Sequence, residues 1–140
     1  MLIAEFNPDK HYSQLCDLWK EHNWCPCPLD AIPKESYIAK NNGSILAFMA
    51  MYVDEKTIAV IDWAVSNKIY PKEIRAYALK TLFEYLVERA KKKGCNYIYS
   101  FTGNKKWGQK MESYGMRLAE QDAATYIMPL NNGDVSFISD

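Results

Sequence analysis

Thr57-Ile58-Ala59-Val60-Ile61-Asp62-Trp63-Ala64-Val65 opens the stretch on which the fold turns. The run is β-branched and apolar with a single charge, Asp62, as a mostly buried strand requires. Residues 66–72 interrupt it with Asn67 and Pro71, both loop formers. Over 73–93, Ile74, Ala78, Leu79, Leu82, Phe83, Leu86, Val87 and Ala90 recur three and four apart, which predicts one stripe of a long helix. Lys91, Lys92 and Lys93 suit the negative end of the helix dipole, and Gly94 closes it. Cys95-Asn96-Tyr97-Ile98-Tyr99-Ser100-Phe101 then reads as a second strand. Strand, helix and strand form a βαβ unit, so the two strands should be parallel and joined by a right-handed crossover. The loop ahead of the helix lies at the carboxyl end of the first strand, where α/β sheets gather ligands.

Working outward toward the start, residues 2–6 read as a short strand, and Asn7-Pro8-Asp9 caps a helix over 10–22 striped by Tyr12, Leu15, Cys16, Leu18 and Trp19. Asn23-Trp24-Cys25-Pro26-Cys27-Pro28 is a stiff, non-helical loop, because each proline drives its predecessor out of the α region. One helical turn is expected over 29–32. Strands over 36–40 and 44–53 are joined by Asn41-Asn42-Gly43, a hairpin signal, and Asp54-Glu55-Lys56 makes a second tight connection. Beyond Phe101, Asn104 is placed to cap a helix over 105–114 closed by Gly115. A final strand pair is expected over 117–120 and 124–130, and 131–140 reads as a tail. The expectation is one domain over 1–130 of mixed α/β (α+β) class. Its sheet is mainly antiparallel, with a central parallel βαβ unit and helices on both faces.

Composition narrows the function classes. The 140 residues carry 17 basic and 17 acidic side chains, net zero, so there is no electrostatic footprint for nucleic acid and no polybasic membrane patch. Apolar residues make up 49%, enough for a packed core, yet the longest apolar run, 45–53, is too short to span a bilayer. The opening residues lack a secretory pattern and the four cysteines suit a reducing compartment, so a cytoplasmic protein is expected. Cys25 and Cys27 lie near His22, but the C-x-C spacing is poor for zinc and no second pair follows, so no metal is expected.

Three stretches carry a family resemblance: 7–23 with its strand-to-helix opening, 64–95 with strand, loop and long helix, and Asn104 through Met111-Glu112-Ser113-Tyr114-Gly115-Met116. Together they resemble the GNAT superfamily of acyl-CoA-dependent N-acetyltransferases; the last keeps the frame of the family pattern N-x-x-A-x-x-F-Y-E-K-L-G-F. The resemblance covers about residues 2–130. It implies acetyl-CoA (or coenzyme A) as cofactor, its pantetheine arm lying between the strands of 57–65 and 95–101 like an added strand. Trp63, Val65 and Ser66 would then meet the pantetheine. Lys72, Ile74, Arg75, Ala76, Tyr77, Ala78 and Leu79 would meet the pyrophosphate, and Asn104 would be a further contact. The resemblance assigns Asp62 as general base and makes Tyr114 a substitute general acid. Trp24, Cys25 and Cys27 would line the site of the acceptor, a small-molecule or peptide amine; a homodimer is compatible with the resemblance.

Two departures from the family pattern stand out. Tyr77 and Leu79 occupy positions where the pyrophosphate loop R/Q-x-x-G-x-G/A carries small residues, and Met111 occupies the position of the proton-donating tyrosine. Both suit a second reading, a GNAT-like fold without catalysis. In that reading the chain is similar to small internal virion proteins of short-tailed phages, and Tyr77 and Leu79 fill the pocket.

Overall fold

Leu2–Glu5 (β1) pairs antiparallel with Glu35–Asn41 (β2), which pairs antiparallel with Ser44–Val53 (β3), and β3 with Ile58–Ser66 (β4). Tyr97–Tyr99 (β5) joins β4 in parallel, giving a five-stranded sheet in chain order. This computed structural model describes residues 1–121 together with Tyr126, Met128 and Leu130. The mixed, mainly antiparallel sheet with one parallel βαβ unit is the architecture expected from the chain.

Helices cover both faces. Pro8–Glu21 (α1) lays Leu15, Leu18 and Trp19 on one face against Ile38, Ile45, Phe48, Ala50 and Val65. Lys72–Lys92 (α2) lays Ala78, Leu82, Phe83 and Leu86 on the other, against Ala39, Met49, Met51, Ala59 and Ile61. Lys105–Ser113 (α3) adds Met111 to the α2 side. Period-two alternation along β3 and β4 sorts these side chains between the two cores.

α1 begins at Pro8, two residues before the expected start, since proline is tolerated in the first turn. The Asn7 side chain caps it, accepting from the N–H groups of Asp9 and Lys10. β5 is shorter than the expected 95–101. Cys95 N–H turns back to Ala90 O at 3.0 Å to close α2, and Asn96 and Tyr97 both donate to Thr57 O. Gly94, at φ +85, supplies the left-handed turn needed there. The expected strand over 117–120 carries no strand pairing among the described residues. Most of 124–130 and all of 131–140 lie outside them.

A half-buried ion pair ties the sheet to α2. Arg89 donates to both carboxylate oxygens of Glu35, at 2.7 and 3.0 Å, and Tyr37 Oη donates to the same carboxylate. The guanidinium holds Glu35 below the ordinary glutamate pKa. Among the described residues no helix is long and apolar enough to cross a membrane.

Candidate functional site

The ladder between β3 and β4 breaks at one place. Phe48 pairs with Val65 and Ala50 with Asp62, so the single residue Met49 faces both Trp63 and Ala64. This is a β-bulge, and Trp63 takes a left-handed backbone with φ +64, which costs a non-glycine residue about 1–2 kcal/mol. The bulge changes the alternation. Ile61 points to the α2 core, Asp62 to the α1 face beside Ala50, and Trp63 packs on that same α1 face. Two consecutive side chains therefore project together.

Both ends of the Trp63 peptide unit are engaged. Its N–H donates to Asp62 Oδ1 at 2.7 Å, and its carbonyl accepts from Trp19 Nε1 at 3.3 Å. The indoles of Trp19 and Trp63 meet edge to face, with centroids 5.8 Å apart. Trp63 Nε1 donates to Tyr52 Oη at 2.9 Å, which donates to Ala31 O at 2.8 Å. A hydrogen-bond chain thus runs from the bulge to the short 3-10 turn Leu29–Ala31. Tyr12 Oη secures the preceding loop by donating to Cys27 O at 2.8 Å.

Burial dominates the electrostatics here. It raises the Asp62 pKa, partly opposed by the Trp63 N–H. It also pushes the Cys27 thiol and the Tyr52 phenol up to about 12, with the nearby Asp62 charge adding to each. Cys27 and Tyr52 are therefore neutral at physiological pH, which leaves Asp62 as the carboxylic acid of this group. Among the described residues its carboxylate accepts one hydrogen bond, from the Trp63 N–H to Oδ1.

Strands β4 and β5 part beside the bulge. Their pairing ends at Val60 and Tyr99, and Ser100 Oγ donates to Ile61 O at 2.9 Å at the vertex. β4 continues to Ser66 with no strand neighbour on that side among the described residues. At its far end His22 Nε2 donates to Ser66 O at 2.9 Å, and the Trp24 indole stacks on the His22 ring at 4.5 Å. Trp24 is thereby coupled to the end of β4. Cys27 lies fully buried in the α1-side core, whereas Cys25 is half-buried in the loop between them.

The residues expected to meet a pyrophosphate run from the start of α2 into its interior. α2 starts at Lys72, no side chain caps it, and Arg75 N–H already bonds Pro71 O. The amides left over at the helix start belong to Lys72, Glu73 and Ile74. Ala76, Tyr77, Ala78 and Leu79 lie inside the helix, where N–H groups bond the preceding turn. The Arg75 side chain remains relevant, because its Nε is buried without a hydrogen-bond partner among the described residues. Tyr77 is 63% exposed and Leu79 packs against the α2-side core, so Tyr77 is not the plug that a filled pocket requires.

Tyr114 is not brought to Asp62. It packs on the α2 side against Phe83 at 5.0 Å and Trp107, lining a recess of about 460 Å³ between α2, β5 and the end of α3. Asp62 faces the opposite side of the sheet. Met111 is buried in the same α2-side core. Asn104 caps α3 by accepting from Trp107 N–H at 3.0 Å. Among the described residues no group of three or more His, Cys, Asp or Glu side chains could hold a metal ion. Tyr52 and Trp19 are the residues that sequence reading missed. The signal for Tyr52 was its place in the alternation Phe48, Ala50, Tyr52 on the face of Asp62.

No protein-family model and no curated protein matches the chain. Solved structures do. An acetyltransferase from Trypanosoma brucei is similar at TM-score 0.68 and 16% identity over 90% of this chain and 99% of that one. Ard1 from Thermoplasma volcanium is similar at TM-score 0.71 and 12% identity, over 85% and 84%. The chain has the fold of the GNAT acetyltransferases. An N-acetylglutamate synthase from Neisseria gonorrhoeae, solved with coenzyme A and N-acetyl-glutamate, shares the fold at TM-score 0.68 and 14% identity, over 89% of this chain and 30% of that one.

Proposed function

We propose that the protein is an N-acetyltransferase that moves an acetyl group from acetyl-CoA to a primary amine by direct attack. The observation that carries this reading is Asp62, a half-buried carboxylate turned by the bulge onto the face of Trp63, beside the point where the β4–β5 pairing ends. The bulge, the end of the β4–β5 pairing, the uncapped helix start and an Arg75 Nε without a partner among the described residues support a coenzyme A cleft.

The residues present fit the cofactor. Backbone of 64–66 would meet the pantetheine, and the amides of Lys72, Glu73 and Ile74 with the Arg75 guanidinium would meet the pyrophosphate. Acetyl-CoA supplies the activated acetyl thioester when bound. Asp62 accepts the proton shed by the amine nitrogen as the nitrogen bonds the acetyl carbon and the C–S bond breaks. The Trp63 N–H holds that carboxylate in place, and Tyr52 and Trp19 in turn fix the Trp63 indole. Met111 carries no proton and Tyr114 faces the other side, so solvent supplies the proton of the departing thiol. Holding amine and thioester together provides much of the rate.

Calorimetric titration with acetyl-CoA, and separately with coenzyme A, tests the reading. Binding in the micromolar range is expected, weakened about tenfold or more by Arg75→Glu, since a phosphate-binding charge becomes a repelling one. Absence of heat at millimolar ligand would overturn it and leave the non-catalytic, partner-binding reading.

A further inference from the structure

The face that carries Asp62 also carries a row of side chains set by strand register. Tyr52 on β3 pairs with Val60 on β4, and Val60 pairs with Tyr99 on β5. Ile98 packs into the α2-side core, so alternation places Tyr97 and Tyr99 on the α1 side with Val60 and Asp62. Asp62 stands one alternation further along β4, directly beyond the row. α1 packs over β3 and the end of β4, none of the described residues of α1 packs at the β5 end of this face, and Tyr99 is 47% exposed. Phe101 continues the aromatic line, its ring 6.5 Å from that of Tyr99. Three aromatic rings, Tyr52, Tyr99 and Phe101, and the Val60 side chain thus pave a floor that ends at one carboxylate.

The charges around this floor are sparse. Burial and the Trp63 amide act on Asp62, and no cationic side chain among the described residues does. Asp30, the other acid near Cys27, sits on the exposed 3-10 turn beyond Tyr52, on the side away from β5. Among the described residues Asp62 therefore has no cationic counter-charge, and an acceptor's ammonium is free to supply one.

Resting on the transfer reading above, we infer that the acceptor is a primary amine carried on a flat, apolar, aromatic body, its ring lying on the Tyr52–Val60–Tyr99 row and its ammonium at Asp62. Ring-on-ring contact fixes the body, and the carboxylate fixes the amine where it must lose a proton.

The test is binding of phenethylammonium, n-butylammonium and spermidine by calorimetry on the whole protein, with and without acetyl-CoA, followed by acetyl-transfer assays on the same amines. Phenethylammonium is expected to bind about fivefold or more tightly than n-butylammonium, the gain of an aromatic pair. Asp62→Asn should abolish binding of the cation, and Tyr99→Leu, conservative in bulk at an exposed position, should erase the aromatic preference. Equal or tighter binding of n-butylammonium or spermidine, no binding of any amine, or a preference that survives Tyr99→Leu would overturn the inference. Aromatic binding without acetyl transfer would instead sink the transfer reading while the site stands. Transfer confined to non-aromatic amines would do the reverse.

Discussion

Asp62 Oδ1 accepts the backbone N–H of Trp63 at 2.7 Å, and the two side chains lie on the same face of a strand in which neighbours ordinarily point apart. The bulge at Trp63 and Ala64 is what permits this, and the carboxylate holds the bulged amide in return. A half-buried carboxyl group, a strained residue and the end of the β4–β5 pairing meet in this one short segment, so its consequences are measurable in several ways.

Asp62→Asn should abolish catalysis and yet stabilise the fold. Loss of a general base costs about a hundredfold or more in rate. The folded chain holds the Asp62 proton more tightly than the unfolded chain does, because burial raises its pKa. Its contribution to stability is therefore full below the ordinary aspartate value of about 3.9 and falls as pH rises through the raised folded value. Asparagine keeps the Oδ1 acceptor without the charge, so a higher Tm at neutral pH is expected from thermal unfolding. In the active protein, kcat/KM should climb with pH through that same raised value.

At position 63, glycine should be a better replacement than alanine. Both lose the indole, but only alanine retains a side chain at φ +64. Denaturant unfolding should place Trp63→Gly above Trp63→Ala by about 1 kcal/mol, the reverse of the usual order within a strand. Equal stabilities would remove the strain from the account.

Tyr52→Phe removes a hydroxyl that serves both Trp63 Nε1 and Ala31 O. The expected loss is about 1–2 kcal/mol, one donor and one acceptor being left to find water. Amide exchange at residues 29–32 should quicken in step, since this link ties the 3-10 turn to the bulge. Unchanged exchange there would show that the loop is held by other contacts.

Arg89→Ala should lower stability at neutral pH, because Glu35 loses both of its charge-assisted hydrogen bonds to the guanidinium. The native pair lowers the Glu35 pKa, so its stabilisation is present above the ordinary glutamate value of about 4.3 and is lost as pH falls through the depressed folded value. Acid titration of stability should therefore be shallower in Arg89→Ala than in the native protein.

The sequence alone determined the elements and much of their order. The β-branched apolar run of 57–65, period three to four in 73–93, the Asn41-Asn42-Gly43 turn and the Asn7 cap are near-neighbour signals, and the structure contains each element they announced. It also exposed Asp62 as the one charge in an apolar strand. Only the tertiary structure decided what that charge faces. A bulge formed by tryptophan has no glycine to betray it, so the shared face of Asp62 and Trp63 was invisible in the chain. The row Tyr52–Val60–Tyr99 depends on the register of three strands, as does the point beyond it where the β4–β5 pairing ends. The start of α2 at Lys72 left 76–79 inside the helix, and sheet sidedness carried Tyr114 away from Asp62. Periodicity is set by residues a few places apart, whereas register, sidedness and strand separation are set by the packing of residues distant along the chain.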